Sequence, residues 1–292
     1  MINDAHCHFF SSRFLELLAP DTGGADEIAV RLQWEAAGTP TELADRWIVE
    51  LDRHGVARAA LIASIPGDAV SVAEAVARHP RRFVGFFMHN AKTVDADAML
   101  ARSLKEYQMR AVCLFPAMHG YRLDDECVER VFRAAADHGA AIFAHCGMLT
   151  VGVRKKLGLP SRFDLRLGDP LALARMALGF PQVPVIVPHF GAGYFRETLM
   201  AADQCPTIHL DTSSSNSWVR FDGGQTLEGV FKSALAVVGA SRLLFGTDSS
   251  FFPRGWQSGI YEEQQRVMRS LGASVADRAA IFGENFDRLF PG

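Results

Sequence analysis

Near the start of the chain lies the stretch INDAHCHFF, residues 2–10, which carries two histidines with one residue between them. Side chains alternate between the two faces of a β-strand, so His6 and His8 share one face and Cys7 points to the other. A dinucleotide-binding open sheet would carry a glycine-rich turn after its first strand, and this stretch has none. The stretch therefore predicts a β-strand whose carboxyl end carries polar side chains.

The rest of the chain alternates short apolar runs with longer segments of helical periodicity, which is typical of βα units around a parallel sheet. Eight runs are predicted as strands: residues 2–7, 58–64, 83–88, 110–115, 140–145, 183–187, 207–211 and 242–246. Helices are predicted at residues 41–55, 68–80, 124–139, 169–179, 226–238, 257–270 and 274–290. This pattern predicts an α/β fold, a (β/α)8 TIM barrel, with an open doubly wound sheet as the alternative.

The chain of 292 residues shows no linker or change in composition, so we predict a single domain over residues 1–292. Two irregular segments, residues 9–40 and 146–168, are predicted to be loop insertions near the site. A net charge of −3 indicates neither a nucleic acid nor an anionic membrane as partner. The five cysteines form no CxxC pair, and no signal or membrane-spanning segment is evident, so a cytoplasmic protein with free thiols is expected.

Polar side chains occur where several predicted strands end. Besides His6 and His8, these are His145 after strand 5, His189 after strand 6 and Asp248 after strand 8. In a TIM barrel the carboxyl ends of the strands meet at one face, which carries the active site. A single histidine at such a position is usually a hydrogen-bonded polar residue, but five converging residues of these types predict a site for one divalent metal, most typically Zn²⁺.

Four further residues are candidates for substrate binding. Arg254 follows the predicted strand 8 and would grip a substrate carboxylate, with a surface arginine as the alternative. His89 ends strand 3 and would line the pocket. Phe10 and Trp218 would supply apolar walls, although simple packing is the alternative for each.

The pattern of His6, His8, His145, His189 and Asp248 resembles that of the amidohydrolase superfamily. The motifs PHFG (188–191), FGTD (245–248) and GENFDRLF (283–290) make the chain similar to the amidohydrolase 2 branch, which includes aminocarboxymuconate-semialdehyde decarboxylase. The resemblance implies that His6, His8, His145 and Asp248 hold one metal ion, usually Zn²⁺ with Mn²⁺ as the alternative. It also implies that His189 acts beside the metal as an acid or base.

The resemblance carries two further implications. Binuclear members use a lysine or glutamate on strand 4, which the stretch RAVCLF (110–115) lacks, so a mononuclear site is expected. A homodimer or a larger assembly is also implied.

Three functions follow from these predictions. The first is hydrolysis: a metal-activated water attacks the carbonyl of a small lactone, ester or amide that carries a carboxylate. Asp248 would accept the proton of the water, and His189 would polarise the carbonyl or protonate the leaving group. The second is metal-dependent decarboxylation of an unsaturated or aromatic acid. Decarboxylase relatives carry a YPF-like or FPF-like run after the strand 8 aspartate, whereas this chain has DSSFFPRGW (248–256). A non-catalytic binding protein is the third.

Overall fold

The computed structural model describes residues 1–213, 218–221, 223–250 and 255–292. Its centre is a sheet of nine parallel strands in the order β8-β7-β6-β5-β4-β3-β2-β1-β9. The strands are β1 (Ile2–Phe9), β2 (Val56–Ala63), β3 (Phe83–His89), β4 (Ala111–Leu114), β5 (Ala141–Ala144), β6 (Val185–Val187), β7 (Ile208–Asp211), β8 (Leu243–Leu244) and β9 (Ser249–Ser250). Each of the eight runs predicted from the sequence overlaps a strand of the sheet.

The two ends of this sheet meet in a single segment, residues 243–250. At the start of the segment β8 pairs with β7, and at its end β9 pairs with β1. Between the two, the backbone N–H of Ala5 donates to the carbonyl of Phe245 at 2.8 Å. Because one segment pairs with the first and the seventh strand, the sheet curls into the predicted (β/α)8 barrel, whose eighth strand is split into two short pieces.

Helices follow the strands along the chain. They are α1 (Ser12–Leu18), α2 (Ala25–Leu32), α3 (Pro40–Arg53), α4 (Ala69–Arg78), α5 (Ala96–Lys105), α6 (Pro116–His119), α7 (Glu126–His138), α8 (Gly152–Lys156), α9 (Pro170–Gly179), α10 (Phe195–Gln204), α11 (Leu227–Val238), α12 (Ser258–Ser270), α13 (Val275–Ala279) and α14 (Asn285–Leu289). A π-helical turn, Ala280–Glu284, joins the last two. Among the described residues, no helix has both the length and the apolar character needed to cross a membrane.

Two helices begin one or two residues away from their predicted first residues. Helix α3 begins at Pro40 rather than at residue 41, because Thr39 and Glu42 form a reciprocal capping box ahead of it. Helix α7 begins at Glu126 rather than at residue 124, with Asp125 in the extended conformation before it.

Alternate residues of the strands pack into two separate cores. Ala5, Ile62, Phe86 and Phe143 belong to the core inside the barrel, to which Phe286 and Phe290 at the end of the chain also belong. Cys7 lies in the other core, between the sheet and the surrounding helices. The predicted alternation of β1 is therefore confirmed, since Cys7 faces away from the barrel axis. Burial, together with Asp4, raises the pKa of its thiol well above the usual range.

The segments predicted as loop insertions carry helices of their own. Helices α1 and α2 lie within residues 9–40, and α8 lies within residues 146–168. Their apolar faces form a small third core that includes Phe14, Ile28 and Val153. The prediction of irregular structure was wrong here because helices of five to eight residues are too short to give a clear periodic pattern.

Candidate metal centre

Three predicted ligands lie together at the carboxyl ends of the strands. His8 Nε2 lies 2.9 Å from Asp248 Oδ1, and His6 Nε2 lies 3.4 Å from the same oxygen. The two imidazole Nε2 atoms are 3.4 Å apart. One donor atom of each residue thus lies within 4.8 Å of the others, a spacing that suits a shared metal ion.

In this cluster the carboxylates raise the pKa of His6, and the histidines lower the pKa of Asp248. Burial lowers the pKa of His6, but Asp211 and Asp248 outweigh it and raise the pKa to about 9. Burial would raise the pKa of Asp248, yet His6 and His8 outweigh it and hold the pKa far below the usual range of a carboxyl. Asp248 is therefore a carboxylate at neutral pH, as a metal ligand or proton acceptor must be.

Each histidine of the cluster is oriented by a hydrogen bond on its other ring nitrogen. Nδ1 of His6 lies 2.5 Å from Asp211 Oδ2, and Nδ1 of His8 lies 2.7 Å from the hydroxyl of Ser64. An ionised carboxylate can only accept, so Asp211 holds the proton of His6 on Nδ1. Because the pKa of His6 is about 9, a metal ion would have to displace the second proton of this ring, and Nε2 would then supply the lone pair while Asp211 keeps the other proton on Nδ1.

His189 lies against the same cluster in an unusual backbone conformation. Its φ of 56° is in the left-handed region, which non-glycine residues adopt only where the surroundings impose it. The ring centroid lies 5.0 Å from that of His6. Nδ1 lies 3.2 Å from the carbonyl oxygen of Ser213 and 2.8 Å from its hydroxyl. Because a carbonyl only accepts, the proton of the neutral ring stays on Nδ1, and burial lowers the pKa of the ring.

His145 shares the cavity but not the three-residue cluster. Its ring lies 5.3 Å from that of His189 and stacks on Phe115, also at 5.3 Å. Burial and the neighbouring His189 lower the pKa of His145 well below its usual value. Its buried Nδ1 has no hydrogen-bond partner among the described residues. A neutral imidazole with an unpartnered nitrogen fits a ligand at the edge of this cluster, so the donor set as a whole fits a divalent ion.

The turn that carries Asp248 is held close to the first strand. Asp248 has a φ of 56°, again in the left-handed region. The preceding Thr247 donates its hydroxyl and its backbone N–H to the buried carboxyl of Asp4, with the N–H contact at 3.1 Å. An added Cβ at Gly246 would overlap the Asp211 carboxylate and come within 2.9 Å of the His6 Cβ. Only glycine therefore allows this segment to approach these two side chains.

The cluster opens into a cavity of about 370 Å³. Its walls are mostly apolar, and Phe10 lies among them as predicted. Phe10 stacks on Phe14 with ring centroids 4.4 Å apart and on Trp34 at 5.8 Å. Lys156 of α8 lines the same cavity and lies 6.0 Å from the Trp34 ring. The two inserted segments thus form one wall of the site, with a single cationic side chain among the described lining residues other than histidine.

The other predicted substrate contacts are placed differently. His89 and Trp218 do not line this cavity, because both are buried in the packed interior: His89 lies against Phe87, and Trp218 lies against Phe195. Arg254 lies outside the described residues.

Sequence reasoning missed the two residues that position the site from β7. Asp211 ends that strand and Ser213 follows it, so both lie at the same face of the barrel as the predicted ligands. The signal in the sequence is the polar side chain of Asp211 at the end of β7.

Comparisons with known proteins identify the family and the fold of this chain. The family model described as Amidohydrolase matches residues 4–292. No curated protein matches the sequence.

Solved structures of three enzymes share the fold. An amidohydrolase from Burkholderia multivorans with bound zinc is 14% identical, with 99% of this chain and 98% of that chain covered and a TM-score of 0.67. A dihydroxybenzoic acid decarboxylase from Polaromonas sp. JS666 with bound manganese is 18% identical, with coverages of 99% and 97% and a TM-score of 0.65. A probable 2-pyrone-4,6-dicarboxylic acid hydrolase from Acinetobacter baumannii is 15% identical, with coverages of 100% and 99% and a TM-score of 0.64.

Proposed function

Because this chain belongs to the amidohydrolase family, we propose that it is a metal-dependent hydrolase of a small lactone, ester or amide. One observation carries the proposal: the donor atoms of His6, His8 and Asp248 lie within 4.8 Å of one another at the base of a cavity. Three protein ligands with access to a cavity is the arrangement of a catalytic rather than a structural metal site.

In this proposal a metal ion would be held by His6, His8 and Asp248, and His145 would be the further ligand. Imidazole and carboxylate donors suit Zn²⁺ first, and Mn²⁺ is the second candidate. Structural relatives carrying zinc and manganese support both. A divalent ion at this position would supply a Lewis acid that polarises a substrate oxygen and acidifies water.

The protein groups supply the proton transfers. Asp248 is held as a carboxylate, so its oxygens can accept a proton from the attacking water. His189 is neutral and carries its proton on Nδ1, which leaves the other ring nitrogen with a lone pair. This lone pair can take up the proton that Asp248 received from the water and then deliver it to the leaving group. Asp211 and Ser213 hold the rings of His6 and His189 in place for these steps.

A metal-dependent decarboxylase is the second candidate. The specific observation that favours it is the apolar wall of Phe10, Phe14 and Trp34, because a carboxylate placed against apolar rings is poorly solvated and loses CO₂ more readily. The relative from Polaromonas is consistent with this reaction.

A substrate panel separates the two reactions. The enzyme is loaded with Zn²⁺ or Mn²⁺ and offered lactones and esters in one series, and unsaturated and phenolic acids in the other. We expect ring opening or ester cleavage that is lost in the Asp248→Asn variant. Release of CO₂ without any hydrolysis would replace the first proposal by the second.

A further inference from the structure

A second cavity of about 360 Å³ adjoins the candidate metal centre. The two cavities share five lining residues, namely Phe14, Ser64, Met88, Met118 and Val151. Most of these shared side chains are apolar, so the passage between the cavities would accept an uncharged, apolar section of a ligand.

The part of the second cavity that is not shared with the first is cationic. Arg154 and Arg162 both line it, and no carboxylate is among its described lining residues. The guanidinium of Arg154 donates to the carbonyl of Pro160, at 2.7 Å for the shorter bond. Neither arginine forms an ion pair with any residue that the structure describes.

Arg162 is exposed, but a neighbouring exposed arginine is paired, in contrast to it. Arg166, four residues after Arg162, lies 2.7 Å from the carboxylate of Asp164. Unpaired guanidinium groups that border a cavity are suited to binding an anion, and arginine does so with two parallel hydrogen bonds to a carboxylate.

His119 also lines the second cavity. Burial, together with the nearby His89, lowers the pKa of its ring to about 4. The ring is therefore neutral at physiological pH and offers hydrogen bonds without adding charge.

We propose that the second cavity is a subsite for a carboxylate at the end of the substrate remote from the metal centre, held by Arg154 and Arg162. The proposal rests on the proposed function, because it places the reacting group of the same molecule at the first cavity. The substrate class is an elongated molecule with an apolar middle, one end that reacts at His6, His8 and Asp248, and an anionic far end.

Binding of a ligand series tests this assignment without turnover. The metal-loaded protein is titrated calorimetrically with α,ω-dicarboxylates from glutarate to sebacate and with the monocarboxylate of each matching length. We expect one chain length at which the dicarboxylate binds more than about tenfold more tightly than its monocarboxylate, and we expect Arg162→Gln to reduce this ratio to about threefold or less. Lys155→Gln is the matched control, because Lys155 is exposed on α8 and lines neither cavity, and it should leave the ratio unchanged.

Two outcomes overturn the subsite. One is a ratio near one at every length in the wild-type protein, and the other is a ratio that Arg162→Gln leaves intact. Because calorimetry needs no reaction, hydrolysis of a lactone with no dicarboxylate preference would overturn the subsite alone. A clear preference with no turnover in the substrate panel would overturn only the proposed reaction.

Discussion

Among single residues, Asp211 has a clear role: it orients the ring of His6, although it does not itself line the cavity. Its Oδ2 meets His6 Nδ1, and its Oδ1 accepts the backbone N–H of Ser213 at 2.7 Å. The same carboxylate therefore positions the ring of one ligand and the residue that holds His189. A carboxylate behind a metal-binding histidine both fixes the ring and increases its basicity.

Replacing Asp211 by Asn should weaken metal binding by about ten- to a hundredfold, because the negative charge behind His6 is lost. The measurement is competition for Zn²⁺ with a chromophoric chelator. Asp45→Asn is the matched control, since Asp45 also contacts a histidine, His79, at 2.6 Å but belongs to helix α3. Equal zinc affinity in the two variants would contradict the role of Asp211.

Asp68 provides a second test at this scale, through stability rather than activity. Burial raises its pKa from 3.8 to about 6, against the opposing hydrogen bonds from Ser71 and Ser11. The folded protein therefore holds this proton more tightly than the unfolded chain does. The contribution to the free energy of unfolding is fully present below about pH 4 and is lost as the pH rises through about 6.

We expect the Asp68→Asn variant not to lose this stability as the pH rises, because the asparagine side chain does not titrate. Relative to wild type, the free energy of unfolding of the variant should rise by about 2 kcal/mol between about pH 4 and pH 7. Urea denaturation at a series of pH values measures the difference. Parallel profiles for the two proteins would show that Asp68 titrates normally in the folded state.

At the scale of elements, the loops after β5 and β6 support each other beside the site. The backbone N–H of Met148 donates to the carbonyl of Ala192 at 2.7 Å, and that of Gly147 donates to the carbonyl of Gly168 at 3.1 Å. Gly147 has a φ of 72°, and an added Cβ would overlap the carbonyl oxygens of Gly191 and Ala192. The Met148 contact therefore joins the loop after β5, which begins at His145, to the loop after β6, which carries His189.

Two glycine-to-alanine substitutions distinguish the cost of backbone strain from the cost of steric overlap by the added Cβ. Gly158 has a φ of 71° but nothing within 4 Å of an added Cβ. Gly158→Ala should therefore cost about 1–2 kcal/mol from backbone strain alone. Gly147→Ala adds a clash with fixed backbone and should cost at least about 2 kcal/mol more. Thermal and urea unfolding measure both. Equal losses would mean that the two loops can move apart freely.

At the scale of the whole molecule, the candidate ligands join distant parts of the chain. His6 and His8 come from β1, whereas Asp248 follows β8, so a metal ion would connect the first and last strands of the barrel. A ligand that binds only the folded state stabilises it in proportion to the logarithm of its concentration over its Kd. Metal binding should therefore resist unfolding of the entire barrel.

We expect Zn²⁺ or Mn²⁺ to raise the Tm of wild type by several degrees, corresponding to about 3–4 kcal/mol at about a hundred to a thousand times Kd. The double variant His6→Ala/His8→Ala should show no such rise and no stoichiometric metal by elemental analysis. The double variant His138→Ala/Lys105→Ala is a suitable control. Both residues are exposed, and they lie at the ends of helices α7 and α5 and do not line the cavity. Equal metal content in wild type and the His6/His8 variant would contradict a metal site at the end of β1.

The barrel can be predicted from the sequence alone, because its signals are local. Alternating side chains place His6 and His8 on one face of β1 and Cys7 on the other, and short runs that alternate with helical segments mark the eight strand positions. The strand ends also identified His145, His189 and Asp248, since a parallel barrel gathers those ends at one face.

Which of these residues meet, and what lies around them, depends on the tertiary structure. The carboxylate behind His6 is 205 positions away, and Arg154 of the second cavity lies on helix α8, which is too short to show a helical periodicity. His89 and Trp218 went into the packed interior instead of the cavity. Such placements depend on contacts between residues far apart in the chain, which the pattern of any one segment does not contain.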